Sequence, residues 1–358
     1  MTKETKKVEK EEEISKSSPI TNKETDQKQA SWKFHHVQTV ENQQRYCEEW
    51  FKLNSTPEFP LVQLISAQKI DEAGALIGTT RQVWNPKMKI YLETVRMQKI
   101  RVVNGSVRFD IIKFLVSLWF AYCELKELAK DESNILIVGT NNSSPHDVDN
   151  LIKEHIKNEA QRIKGSYVNQ RWLGGTLTNY RTIEKSINKF NELLELVKSV
   201  DFNNYTKKER SNISKQIDKY ERFFGGIRTM GRTPKAIIII DPVREHNAVE
   251  EAKKRKVPIF AITNSNAHCE GIKHVIPANT NSPKTIWLIL SILCDAICEG
   301  RNASRNENPA YPIMIVGKRD ENIVFPPFKR SEKLEKSIVQ HKKFTKPAVA
   351  HTAEQSSI

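Results

Sequence analysis

Long apolar runs are missing from this chain: no stretch reaches the roughly 18 to 20 consecutive apolar residues that a membrane-spanning helix needs. Cysteine is sparse too. Cys47, Cys123, Cys269, Cys294 and Cys298 show no disulfide-framework spacing, which points to a reducing compartment. The opening Met1-Thr2-Lys3-Glu4-Thr5-Lys6-Lys7 has no apolar centre, so it does not read as a secretory signal, and its Glu-rich continuation argues against a mitochondrial transit peptide. Acid is in deficit: 43 Asp and Glu face 57 Lys and Arg, for a net charge of +14. Such an excess favours a polyanion as partner, most commonly nucleic acid, with a membrane surface as the competitor. What is present, 358 residues with 38% hydrophobic content, suffices for one or two cores plus appendages.

Residues 1 to about 30 are rich in Lys, Glu, Ser and Thr and cannot repay the cost of ordering, so they read as a disordered tail. Residues 31–60 gain Trp32, Phe34, Tyr46, Trp50 and Phe51 and read as an arm that docks or binds a partner. Leu61 to Ala75 predicts a short amphipathic helix. Asn85-Pro86 then forces a turn that leaves Arg81, Lys87 and Lys89 around Trp84, a basic and aromatic mixture suited to RNA. Lys99 to Val107, with Asn104-Gly105, predicts a hairpin. Ile111 to Leu128 is a helix apolar enough to require a covering sheet.

From there strand, loop and helix alternate. Ile135 to Gly139, Gly165 to Asn169, Ala236 to Ile240, Pro258 to Thr263 and His274 to Pro277 read as strands, several of them continuous apolar runs as in a parallel sheet buried on both faces. Helices are expected near 147–164, 245–256 and 282–299. The fold class is therefore α/β, a three-layer parallel sheet of flavodoxin or Rossmann type. The alternation stops between Asn179 and Pro234. There Ile183, Ile187, Phe190, Leu194 and Val197, then Ile213, Ile217, Tyr220 and Phe224, recur at steps of three and four, the seam of an antiparallel coiled-coil hairpin. The resulting division is 61–178 and 235–301 for the α/β domain, 179–234 for the insertion, and 302–358 for a surface-hugging extension that becomes disordered at its end.

The stretch Gln170-Arg171-Trp172-Leu173-Gly174-Gly175-Thr176-Leu177-Thr178-Asn179 joins sheet to hairpin. Its glycines could cradle phosphate, Thr178 or Asn179 could cap the next helix, and Trp172 could sit in the core. Position favours a joint first and an RNA contact second. The RNA-facing candidates are Arg81, Trp84, Lys87, Lys89, Arg171, Trp172, Thr176, Asn179, Arg181, Lys207, Lys208, Arg228 and Arg232.

Enzyme chemistry finds weaker support. Gly139-Thr140-Asn141-Asn142-Ser143-Ser144 follows a strand but matches neither G-x-G-x-x-G nor G-x-x-x-x-G-K-[ST]. Asp241, Glu245 and His246 could form an acid/base set, although an Asp-Pro turn before a helix with acids near its start is ordinary dipole chemistry. Cys294 and Cys298, a turn apart, with His268 and Cys269, could share zinc, but their apolar neighbours fit buried thiols better. No catalytic set, metal site, cofactor or small-molecule substrate is expected. The opposing readings are an α/β nucleotide-binding enzyme and a free RNA-binding regulator.

The motif series resembles the family of bacterial small-subunit ribosomal protein two. It comprises Trp84-Asn85-Pro86-Lys87-Met88, Val138-Gly139-Thr140, the Gln170 to Asn179 run, Phe224-Gly225-Gly226-Ile227, Asp241-Pro242, Glu245-His246-Asn247-Ala248 and Ile276-Pro277-Ala278-Asn279. The resemblance covers about Leu61 to Arg301. It implies a structural, non-catalytic protein lying on small-subunit ribosomal RNA, beside other small-subunit proteins, in the cytoplasm. In many bacteria such proteins help to hold the messenger-binding S-one protein, and the resemblance implies that partner. Departures occur at Gly78-Thr79 for Gly-His, at Asn141-Asn142-Ser143 for Lys-Lys-Gln, and at Asn264 to His268 and Asn279-Thr280-Asn281 for acidic runs. The Ile/Lys/Asn-rich character resembles a reduced-genome bacterium such as a mollicute, with a plastid or mitochondrial ribosome second.

Overall fold

The structure is a computed structural model that describes residues 65–95, 99–140, 146–199, 205–231, 233–304, 311–315 and 325, without the side chains of 146–149. The tail 1–30, the arm 31–60, the loop 141–145, Arg232 and most of the extension beyond 304 lie outside the described residues.

The chain enters through α1 (Ala67–Ala73), shorter than the predicted 61–75 helix because Ser66 caps its start and Gly74, in the left-handed region, ends it. Next come β1 (Ile77–Thr80), a 3-10 turn (Pro86–Tyr91), β2 (Thr94–Val95), β3 (Lys99–Ile100), β4 (Val102–Val103) and β5 (Ser106–Arg108). The Asn104-Gly105 hairpin is present, both residues at positive φ as a type I′ turn requires. It is narrower than predicted: Lys99 and Ile100 pair instead with Val95 and Thr94.

The helix α2 (Ile111–Ala129) follows, then β6 (Ile135–Val138), α3 (His146–Arg162), β7 (Ser166–Val168), α4 (Tyr180–Lys198), α5 (Lys207–Phe224), β8 (Ala236–Ile240), α6 (His246–Lys254), β9 (Ile259–Thr263), β10 (His274–Pro277) and α7 (Pro283–Ala303). Strands β6 to β10 form one parallel sheet in the order β7-β6-β8-β9-β10. Every residue of β6, β8 and β9 is buried, which explains their unbroken apolar character. The crossovers through α3 and α6 run outward in opposite directions from the β6/β8 centre. Right-handed connections therefore place these helices on opposite faces, and α2 and α7 pack with α3. Between β7 and β8 the helices α4 and α5 pack on each other, Phe190 against Tyr220 with ring centroids 6.0 Å apart.

The α2/α7 contact has a steric basis. Phe114, Leu118, Ala121, Leu125 and Ala129 of α2 recur at helical spacing and are fully buried. Gly300 of α7 lies against the Lys126 carbonyl, where a Cβ would collide. A buried polar clamp adds to this. Asp295 of α7, fully buried, accepts from Arg162 at 2.5 Å and from the N–H groups of Met314 at 2.9 Å and Ile315 at 2.6 Å. Arg162 in turn donates to the Pro312 carbonyl at 2.7 Å. The described part of the extension is thus strapped onto the domain, with Phe325 edge-on to Trp287.

Removing one partner of a buried pair leaves a charge without compensation. Asp295→Asn should therefore lower stability by about 3 kcal/mol, read as a lower urea midpoint at constant m-value; an unchanged midpoint would show that the clamp is dispensable.

Candidate nucleic-acid interface

The turn between β7 and α4 is built around one carboxylate. Glu251, on α6 and buried, accepts from Trp172 Nε1 at 2.9 Å, Gly175 N at 2.8 Å, Leu177 N at 3.0 Å, and Thr178 N and Oγ1, both at 3.1 Å. Gly175 sits at φ 91°, a conformation that turns its N–H inward and that glycine adopts without strain. Converging backbone N–H groups make an anion nest, and here the protein's own side chain fills it. The phosphate-loop reading of Gly174-Gly175 is corrected on that ground. Burial alone would raise the Glu251 carboxyl, but its hydrogen bonds from Trp172, Gly175, Thr178 and Leu177 outweigh burial and hold it below the usual carboxylate range.

The expected helix cap is corrected as well. Thr178 spends its hydroxyl on Glu251, and Asn179, at φ −126° and ψ 50°, makes no side-chain bond to the helix backbone. Its Oδ1 accepts from the Thr182 hydroxyl instead, at 3.0 Å. Two RNA-facing candidates lie behind the surface: Trp172 is buried with its indole N–H on Glu251, and Thr176 is buried with its hydroxyl on the Leu173 carbonyl at 2.6 Å. Arg171, Asn179 and Arg181 are exposed on the same turn. A close approach closes the far side of this joint, since Gly226, after α5, faces the Tyr167 carbonyl where a Cβ would collide.

On the helix pair Lys207 and Lys208 are exposed in the first turn of α5, and Arg228 is exposed beyond its end. Two cations at a helix N-terminus oppose its dipole, and the capping box of Thr206 and Glu209 only partly offsets them. A local cost of that kind marks a functional position.

At the second cluster Asn85 caps the 3-10 turn through Lys87 N, its N–H donates to the Ser265 carbonyl at 2.7 Å, and its amide meets His268 Nδ1 at 3.0 Å. Trp84 is half-buried against the core, Lys87 pairs with Glu270, and Arg81 and Lys89 are exposed. Thr79 donates its N–H to Ser265 Oγ at 2.8 Å, and the two hydroxyls lie 2.6 Å apart.

The crevice at the β6/β8 centre is where a doubly wound sheet would take a ligand. Glu245 occupies it, accepting from Thr140 N at 2.8 Å and from the Thr140 hydroxyl. Asp241 pairs with Arg244 at 3.0 Å, while His246 is exposed. Burial raises both carboxyls, partly offset by Thr140 at Glu245 and by Arg244 at Asp241. These three side chains do not converge as an acid/base set. Cys294 and Cys298 lie inside α7, and burial pushes their thiols up, to about 11 for Cys298. Among the described residues no group of three or more His, Cys, Asp or Glu is placed to hold a metal ion. No helix among them is long and apolar enough to cross a membrane.

Comparison with known proteins accords with this geometry. Residues 71–300 match the family described as ribosomal protein S2. A Ureaplasma urealyticum protein named small ribosomal subunit protein uS2 is 42% identical over 271 residues, 76% of this chain and 71% of the relative. Proteins of the same name from Malacoplasma penetrans and Mycoplasma genitalium are 39% and 37% identical, covering 75% and 67% of this chain and 68% and 79% of their own length. All three relatives come from mollicutes, bacteria whose ribosomes are cytoplasmic.

Glu251→Gln should cost roughly 3 kcal/mol, because charge-assisted bonds are lost and an amide N–H₂ faces donors. A lowered carboxyl stabilises above its unfolded value of about 4.3 and loses that contribution as pH falls through its folded value. The stability gap between wild type and Glu251→Gln, measured by urea unfolding, should therefore be full at pH 7 and close below about pH 4. A gap independent of pH would contradict the assignment.

Proposed function

The chain belongs to the ribosomal protein S2 family, and on that premise we propose how this member, a structural constituent of the small ribosomal subunit and not an enzyme, grips its RNA. Two exposed groups make the contact with small-subunit ribosomal RNA. One is Arg81, Lys87 and Lys89 around the stacking edge of Trp84; the other is Arg171, Asn179 and Arg181, continued by Lys207, Lys208 and Arg228 on the helix pair, with Arg232 outside the described residues. Trp172 and Thr176 serve the same surface from behind, by fixing the turn that carries it. The observation that carries this reading is the two-lysine start of α5, where exposed cations oppose a helix dipole and an external polyanion would relieve them.

The helix pair acts as an antiparallel coiled-coil hairpin projecting from the α/β domain. The division is 61–178 and 235–301 for the domain and 179–234 for the hairpin, with 1–30, 31–60 and 302–358 as extensions. Neighbouring small-subunit proteins, among them the S-one protein, are the protein partners, and the location is the cytoplasmic ribosome of a bacterium.

Tagged full-length protein should co-sediment with small subunits from lysate; recovery only in the free fraction would sink the reading. Lys207→Glu with Lys208→Glu should lower that occupancy at least severalfold, more steeply as salt rises, because each phosphate contact carries a salt-dependence slope of roughly 0.9. Unchanged occupancy would place this end of the hairpin against solvent or protein.

A further inference from the structure

A cleft of about 620 Å³ lies beside the filled nest, lined by Thr178, Asn179, Tyr180, Arg181, Thr233 and Arg255. It lies between the first turn of α4, the entry to β8 and the end of α6. Its lining holds two guanidinium groups and no carboxylate. Glu251, behind one wall, is already taken up by its own donors, Thr178 among them. Arg255 donates Nε–H to the Leu177 carbonyl at 2.9 Å, which fixes the plane of its guanidinium. Among the described residues neither Arg181 nor Arg255 pairs with an acid. Lys254 and Lys256, on either side of Arg255 in sequence, are exposed.

Guanidinium forks match the oxygens of a phosphate, and a pre-oriented fork loses less entropy in binding one. The cleft is also large enough for a phosphodiester with its flanking riboses, for which the Thr233 hydroxyl and the Asn179 amide are suitable partners. We infer that this cleft seats a backbone phosphate of RNA, held between Arg181 and Arg255. The inference rests on the small-subunit RNA reading and adds a residue, Arg255, that lies outside every motif of the family series. The same carboxylate that closes the nest shapes this second site, because the Leu177 carbonyl that orients Arg255 belongs to the turn Glu251 holds.

The test measures binding of full-length protein to a transcript of bacterial small-subunit ribosomal RNA, by filter retention from about 50 to about 200 mM KCl. Arg181→Ala with Arg255→Ala should weaken binding about tenfold or more and make the logarithmic salt slope shallower by nearly two, at about 0.9 per phosphate. Its thermal melt should stay at the wild-type temperature. Arg255→Lys keeps the charge and should keep most of the slope while losing affinity severalfold, a pattern that a purely structural role of Arg255 would not produce. Wild-type affinity and slope in a folded double variant would overturn the cleft and leave the RNA reading standing. Failure of wild-type protein to bind the transcript would remove both. Two competitors test the source of the anion. Saturable binding of AMP at the cleft, abolished in the double variant, would make it a free-nucleotide site. Displacement by polyglutamate as effective as by RNA of equal charge would make it a generic acid seat. Either result would overturn the assignment to RNA.

Discussion

The Glu251 carboxylate is the interaction on which the rest of the structure depends. It ties α6 to Trp172 and to the backbone of Gly175, Leu177 and Thr178, the residues through which the sheet passes into the helix pair. A turn with so many inward N–H groups could not be buried unless something accepted from them, since each unpaired donor costs on the order of 1–3 kcal/mol. A single ionised acid satisfies the set. Its charge is in turn kept by those donors, so turn and carboxylate stabilise each other. The helix pair therefore leaves the sheet from a fixed point, and the cations on its base keep fixed positions relative to the domain.

The same solution recurs at the β6/β8 centre. Glu245 satisfies the backbone N–H of Thr140 just beyond β6, the place where a doubly wound sheet would receive a ligand's phosphate. The anion-accepting features of an α/β enzyme are present in this chain but are turned inward and filled by its own side chains. Exposed cations around them remain for external contact. A smaller substitution fits the same picture. Thr79 and Ser265, two positions at which the chain departs from the pattern of its family, hydrogen bond to each other and so hold the Trp84 turn to the loop after β9.

The fold was largely legible in the sequence because its central strands are buried on both faces and so appear as continuous apolar runs. The seam of Ile183, Ile187 and Phe190 against Tyr220 and Phe224 was legible because helical periodicity survives in any context. The candidate site was less so. Glu251 stands beside Glu250 in a charged helix and looks like one more solvent-facing acid; its donors lie 73 to 79 residues away, beyond any local pattern. Trp172 and Thr176 share a motif with exposed Arg171 and Asn179, and residue type alone could not say which faces inward. Arg255 was invisible for the same reason as Glu251, its orienting partner being a carbonyl 78 residues away. A clue existed in Gly174-Gly175 followed by Thr176 and Thr178, a run rich in inward-capable N–H and hydroxyl donors. It called for an anion, and the anion proved to be part of the chain.

The most direct test of this account is a density map of the assembled small subunit containing this protein, at a resolution that shows side chains. The account predicts Glu251 enclosed by the Trp172 to Thr178 turn with no RNA inside it, and ribose-phosphate density against the exposed cations on the outer side of that turn. RNA phosphate inside the nest with Glu251 displaced, or a turn whose outer face meets only solvent, would contradict it.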